Sequence, residues 1–482
     1  MIRKTLRHLA TRATAAAFLA IGLTGPGPAA ADWLSGLERS LGAQQHDQLV
    51  QDFGGAYENP EIQTYVDSLG QFLARTSEQP DLDYTFTVLD SPVVNAFALP
   101  GGYVYVTRGL LALAENEAQL AGVLAHEIGH VNASHGLNRV GAGIVGELAT
   151  IGLGWLLGEE AAAFGSSVTQ LGMRAYSRDQ EYEADVLGVK YLARAGYDPG
   201  AMADFLDVLL QHSRLEAEIA GNPGAPDAFN IMATHPRTAD RIEQALREAG
   251  LADVPEPMTA RDLYLGKIDG LLYGDSPEDG FVRDRRFLHP QLRFAFEVPE
   301  GFRLLNGQTR VIAVDREGAR LVFDRDRPES NSLLTYLQRE WAGEEVELEQ
   351  LADFVVDGLP AATGLAKIET RQGPRHLRLA AIRMPDGTAY RFLFATTPQQ
   401  SRAYADAFVD TLYSFRRLSR TEAETLKPLR LAVRQVRPGE TVASLARDLP
   451  FANHREARFR ALNGLEAESE LKAGQKIKIV VQ

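Results

Sequence analysis

Two histidines four residues apart flank a glutamate in the run His126-Glu127-Ile128-Gly129-His130. On an α-helix, positions i and i+4 lie one above the other, so both imidazoles can reach a single tetrahedral ion. Glu127 falls about 100° round the helix, close enough to act on a water at that ion without ligating it. The pattern implies metal-assisted hydrolysis, with His126 and His130 as ligands and Glu127 as general base. Imidazole and carboxylate donors point to zinc, one ion per chain.

A catalytic zinc needs a third protein ligand and one open position. The downstream candidates are Glu147, Glu159, Glu160, Glu181 and Glu183. The first three sit in or at the end of an apolar, glycine-rich run, Val140–Phe164, and read as boundary or plug residues. That run, interrupted by Glu147 and its glycines, is expected to cover the site or meet hydrophobic partners rather than span a membrane. Glu181 and Asp185 are four apart on a second helical stretch that begins near Tyr176 and ends at Gly196, whereas Glu183 points elsewhere. That spacing lets Glu181 bind the metal while Asp185 accepts a hydrogen bond from a ligand histidine. An ordinary acidic helix face has the same spacing, and spacing leaves the two readings even.

The elements that must hold these groups are legible nearby. Asn116 can cap the motif helix, Gln119 sits where the reciprocal partner of a capping box belongs, and Leu120, Val123, Leu124 and Ile128 form an apolar stripe. Upstream, Val94–Val106 reads as two strands joined by a Pro100-Gly101-Gly102 turn.

The wider chain reads as multidomain. Residues 1–31 carry four cations and no acid, then a short apolar run and Ala29-Ala30-Ala31, the order of a cleaved secretory signal. Residues 32–251 are mainly helical. Two prolines in Asp253–Pro257 read as a linker. Residues 261–418 have an α+β texture of short alternating strands, with no cluster of metal-ligating residues. Residues 431–482 form a third unit. The chain has no cysteine and a formal net charge of −14, which becomes about −18 without the four leader cations. An acidic chain with no dense Lys/Arg run has no footprint for nucleic acid, and secretion without disulfides suits a bacterial periplasm.

HEIGH, then Ser177-Arg-Asp-Gln-Glu-Tyr-Glu-Ala-Asp185, then Thr234-His235-Pro236 followed by Arg241, together resemble the periplasmic BepA-like zinc metalloproteases, soluble relatives of the CAAX prenyl protease and of the HtpX membrane protease. The resemblance covers residues 40 to 250. It implies Glu181 as third ligand, with Asp185 and Arg241 behind the ligands. It also places His235 near the metal, either blocking the open position at rest or stabilising an oxyanion. In such proteases a substrate peptide adds as a strand to a sheet edge beside the metal, and Asn95, Ala96, Phe97 and Ala98 are the candidates for that edge. A purely structural hairpin fits the same residues. Val436-Arg-Pro-Gly439-Glu-Thr441, Leu462-Asn463 and Leu471-Lys-Ala-Gly474 resemble a LysM domain, a small βααβ unit, although Glu440 stands where Asp is common. That resemblance implies peptidoglycan binding. The expected function is degradation of unfolded or misassembled envelope proteins, with the outer-membrane assembly machinery as a further partner. The alternative is a non-hydrolytic chaperone or envelope adaptor whose zinc site is blocked by His235.

Overall fold

The protein is described by a computed structural model covering residues 28–136, 176–221, 235, 238–343, 346–370 and 373–482. The leader up to residue 27 and the apolar run Val140–Phe164, with Glu147, Glu159 and Glu160, lie outside the described residues.

The first unit is helical around one small sheet. Its elements are α1 (Pro28–Asp52), α2 (Pro60–Ala74), β1 (Thr85–Leu89), β2 (Ala96–Leu99), β3 (Tyr103–Thr107), α3 (Arg108–Leu113), α4 (Glu117–Asn132), α5 (Arg178–Arg194), α6 (Ala201–Ile219), α7 (Thr238–Leu251) and α8 (Arg261–Ile268). The motif helix α4 is more deeply placed than its stripe implies, because every residue from Glu117 to Val131 is buried. A helix with no wet face must be packed on all sides, and Ala121, Gly122, Ala125 and Gly129 let its neighbours approach closely. Its N-cap is Asn116, whose side chain accepts from the Gln119 backbone. The expected reciprocal bond from Gln119 is not made: its side-chain oxygen takes the Glu115 N–H instead. Glu117, at the first turn, accepts from Tyr65 and Tyr197 hydroxyls at 2.7 Å each.

The expected hairpin is present, with β2 antiparallel to β3 and Gly101 and Gly102 at positive φ in the turn. A third strand, β1, pairs parallel with β3, so the order is β1-β3-β2 and β2 is an edge.

Residues 281–417 carry the α+β texture in two sheets. The larger has seven strands and runs from Leu348–Val356 at one edge to Arg303–Asn306 at the other. The smaller has four, and Phe287, Phe294, Phe296, Phe323 and Phe392 fill the space beneath them. The hairpin Leu348–Val356 with Leu359–Thr370 was illegible in the sequence because its outer strand is almost wholly exposed and lacks alternation. Leu333–Trp341 is α-helical only to Thr335 and then widens into a π turn. Within this unit His289 accepts the Leu292 N–H on Nδ1 and is buried, and burial lowers its pKa to about 4. A folded pKa below the unfolded value means the neutral ring's contribution is complete above pH 6.5 and is lost as pH falls towards 4. Urea unfolding across pH 6.5 to 4 should show that loss, and His289→Gln should shrink it.

The C-terminal unit has the expected βααβ order: Leu429–Gln435, Val442–Arg447, Arg455–Leu462 and Lys476–Val481. Glu440 chelates Arg434 and accepts the Arg437 N–H, so the unusual residue still closes its turn. Asn463 is buried, bonding the Lys478 backbone in both directions. One boundary differs from the sequence reading. Residues 261–273, grouped there with the α+β segment, pack elsewhere: Tyr264, Leu265 and Ile268 of α8 join the core of the first unit. The strand β4 (Leu272–Tyr273) pairs with Leu429–Gln435. The proline segment is likewise tied down, since Met258 bonds Gly196 and Asp198 and the Thr259 carbonyl accepts Ala118 of α4. A single apolar core therefore runs from the first unit into the C-terminal one. Among the described residues, no helix is long and apolar enough to cross a membrane.

Candidate metal centre

The crossing of α4 and α5 is what builds the site. A Cβ on Gly188 would stand 3.2 Å from the His126 nitrogen and one on Gly129 would stand 3.2 Å from the Ala184 carbonyl. Both contacts are tighter than a Cβ ordinarily makes, so a side chain at either point would push its neighbour away by a few tenths of an ångström. α5 is started by a complete Ser177–Gln180 capping box, and its buried face presents Glu181 and Asp185 to the histidines.

His126, His130, Glu181 and His235 each offer one ligand atom, all within 4.8 Å of one another. His126 Nε2 and His130 Nε2 are 3.0 Å apart. Glu181 Oε2 is 3.6 Å from His126 Nε2, and its Oε1 is 3.5 Å from His130 Nε2. His235 Nδ1 lies 2.9 Å from Glu181 Oε1 and 3.4 Å from His126 Nε2. Four N/O donors about 2.1 Å from a tetrahedral zinc would be about 3.4 Å apart, so the spacing and donor types fit the ion. Glu127 is wholly buried beside this set, with Oε1 3.7 Å from His235 Nε2.

The surroundings set the charge states. Asp185 Oδ1 is 2.9 Å from His126 Nδ1. Arg241, on α7, grips both Asp185 oxygens at 2.7 Å, lies 2.7 Å from Glu181 Oε2 and donates to the His235 carbonyl. Burial alone would raise the carboxyl pKa values, but the charges of His235 and Arg241 hold Glu181 well below its ordinary range, and Arg241 lowers Asp185. Burial pushes His130 well down, towards the neutral form that ligates. The same burial acts on His126 but is outweighed by Asp185, which raises it.

Two contacts escaped the sequence reading. His135 Nδ1 is 2.8 Å from His130 Nδ1, and its Nε2 reaches the exposed Glu183. Tyr176 stacks on His130 with ring centroids 3.7 Å apart. His135 follows the motif by five residues, a spacing that announces nothing until the chain turns back at the end of α4. Glu183 is thus two bonds removed from the cluster, through His135. Asn95 precedes β2, and its backbone exchanges bonds with Thr107. Ala96 and Ala98 face the core that contains α4, and Phe97 packs against Phe53 of the α1 side.

Replacing Gly188 by Val should force α5 away from His126. The expected result is a stability loss of about 1–3 kcal/mol, and weaker metal retention than in Gly188→Ala, read by chelator competition. Equal retention by both variants would show that the crossing distance does not matter.

Residues 60–249 match the model of peptidase family M48, and residues 435–480 match the LysM domain. The first unit is therefore a metallopeptidase domain of family M48, followed at the C-terminus by a LysM domain. Among curated proteins, the chain is similar to the beta-barrel assembly-enhancing protease of Escherichia coli K12, 29% identical over 293 residues, which is 55% of this chain and 57% of that one. A putative beta-barrel assembly-enhancing protease of Vibrio cholerae is 32% identical over 40% of each chain. The mitochondrial metalloendopeptidase OMA1 of Bos taurus is 30% identical over 35% of this chain and 34% of its own. The chain thus spans little more than half the length of the first of these relatives.

Proposed function

We propose that this chain is a zinc metalloendopeptidase of the bacterial periplasm that cleaves unfolded or misassembled envelope proteins. The observation that carries the reading is the convergence of His126, His130 and Glu181 on one point, with the buried Glu127 alongside. Zinc held by those three residues would supply a Lewis acid that makes water acidic near neutral pH. Glu127 takes the proton of the attacking water and returns it to the leaving amine. Asp185 orients His126, and Arg241 fixes Asp185 and Glu181 together, so the ligands are held before substrate arrives. The edge strand β2, with Asn95 to Ala98, receives the substrate backbone, a mode that tolerates many sequences. The names of the E. coli and V. cholerae relatives support outer-membrane β-barrel proteins and their assembly machinery as the setting. The LysM domain supports attachment to peptidoglycan.

His235 favours a second reading of the resting state. Its Nδ1 takes the fourth corner of the donor set, the corner that hydrolysis needs open. The protein at rest is then latent, and a non-hydrolytic chaperone or adaptor role would suit that state. The test is cleavage of an unfolded outer-membrane protein by the zinc-loaded chain and by His235→Ala. A faster initial rate in His235→Ala supports a blocking histidine. A rate lowered about 10²-fold assigns it to oxyanion stabilisation instead. No cleavage by either protein, with zinc bound, would overturn the peptidase reading.

A further inference from the structure

His130 is 1% exposed, with Tyr176 stacked on its ring, so both ring nitrogens must find partners inside the protein. Its Nε2 points into the cluster of converging donors, 3.0 Å from His126 Nε2. Its Nδ1 faces His135 Nδ1 at 2.8 Å. A nitrogen that ligates a metal presents a lone pair, and a neutral imidazole that does so on Nε2 carries its proton on Nδ1. Two N–H groups cannot share a 2.8 Å contact. His135 therefore turns the lone pair of Nδ1 to His130 and carries its own proton on Nε2. That nitrogen lies 3.3 Å from Glu183 Oε2, which accepts. The protons are ordered in one direction, from His130 to His135 and from His135 to Glu183.

The backbone is bent to make this contact. α4 ends at Asn132, Ser134 takes a φ of +51°, and the His135 N–H donates to the His130 carbonyl at 3.1 Å. A left-handed backbone is disfavoured for a residue with a Cβ and persists where the surrounding structure dictates it. The reversal returns the buried His135 to the ligand it follows by five residues. The two ligand histidines are thus held by different means. His126 Nδ1 meets Asp185, a buried carboxylate gripped by Arg241. His130 Nδ1 meets a second imidazole, and the carboxylate behind that ring has a side chain 60% exposed.

We propose that His135 is a positioning residue that accepts the His130 Nδ1 proton and so holds His130 in the tautomer and ring angle that turn Nε2 to the metal. It acts through His130 alone. Glu183 orients His135 in turn, and an exposed carboxylate contributes less than the buried ring it serves. The inference rests on the reading of His130 as a zinc ligand.

The test is zinc retention by the full chain in competition with a chelator, a readout independent of peptide cleavage. His135→Leu leaves the buried His130 N–H without an acceptor and should weaken retention about 10–100-fold. His135→Asn should restore it, because the asparagine Oδ1 can stand where Nδ1 stood and accept the same proton. A merely space-filling role would rank leucine above asparagine. Glu183→Gln should cost less than His135→Leu. Urea unfolding of the metal-free proteins reports separately on the fold. Ring nitrogen-15 spectra of the unaltered, zinc-loaded chain read the tautomers directly and stand even if a variant fails to fold: the protons should be on His130 Nδ1 and His135 Nε2. Undiminished retention in His135→Leu, equal loss in His135→Leu and His135→Asn, or a proton on His135 Nδ1 would each overturn the proposal and leave the ligand set untouched. Failure of the unaltered chain to bind zinc would overturn the metal reading itself, and this inference with it.

Discussion

Glu127→Gln is expected to keep its metal and lose hydrolysis by about 10²–10⁴-fold, the usual contribution of a general base. Glu127 is outside the set of four converging ligand atoms, so metal content should not change. It is wholly buried in α4, and the isosteric amide preserves that packing. What the amide cannot do is accept the proton from water and pass it on. Metal analysis beside initial rates on an unfolded outer-membrane protein separates the two effects. Undiminished cleavage would move the base elsewhere, and loss of metal would make Glu127 a ligand.

Lys478→Met should produce the largest stability change outside the site. Lys478 lies in the closing LysM strand and is fully buried. Its ammonium donates to the carbonyls of Ala112, Leu113 and Ala114 at 2.8–2.9 Å and pairs with Glu115 at 2.8 Å. Those carbonyls end α3, where backbone acceptors have no helical partner and a cation is favoured. Glu115 stands immediately before the cap of the motif helix, so one side chain links the LysM strand to the start of α4. Burial lowers the Lys478 pKa, against the opposing pull of Glu115. Removing one partner of a buried pair costs about 3–5 kcal/mol when the other is left uncompensated. Here the lower part of that range is expected, because Arg261 still lies 3.5 Å from Glu115. Urea unfolding of the full chain should show that loss, and Lys478→Met combined with Glu115→Gln should recover part of it. A change under about 1 kcal/mol would mean the LysM domain is only loosely attached.

The chemistry of the site was legible because it is written in short-range spacing. HExxH and the i,i+4 pair Glu181 and Asp185 each declare a helix face, and Asn116 declares where the first of those helices begins. The βααβ order of the C-terminal unit was expected from its resemblance to a LysM domain rather than from spacing. Tertiary structure decided what periodicity cannot carry. Spacing alone left Glu181 even between ligand and solvated acid, and it becomes a candidate ligand only because glycines 129 and 188 let α5 close on α4. His135 and Tyr176 reach His130 across a chain reversal, and no local pattern announces that. Lys478 is the clearest case. In Lys476-Ile-Lys-Ile-Val-Val481, alternation places both lysines on a solvated face, and Lys476 is partly exposed as expected. Lys478 is buried because another domain covers that face, and a strand's own period of two cannot encode what packs against it.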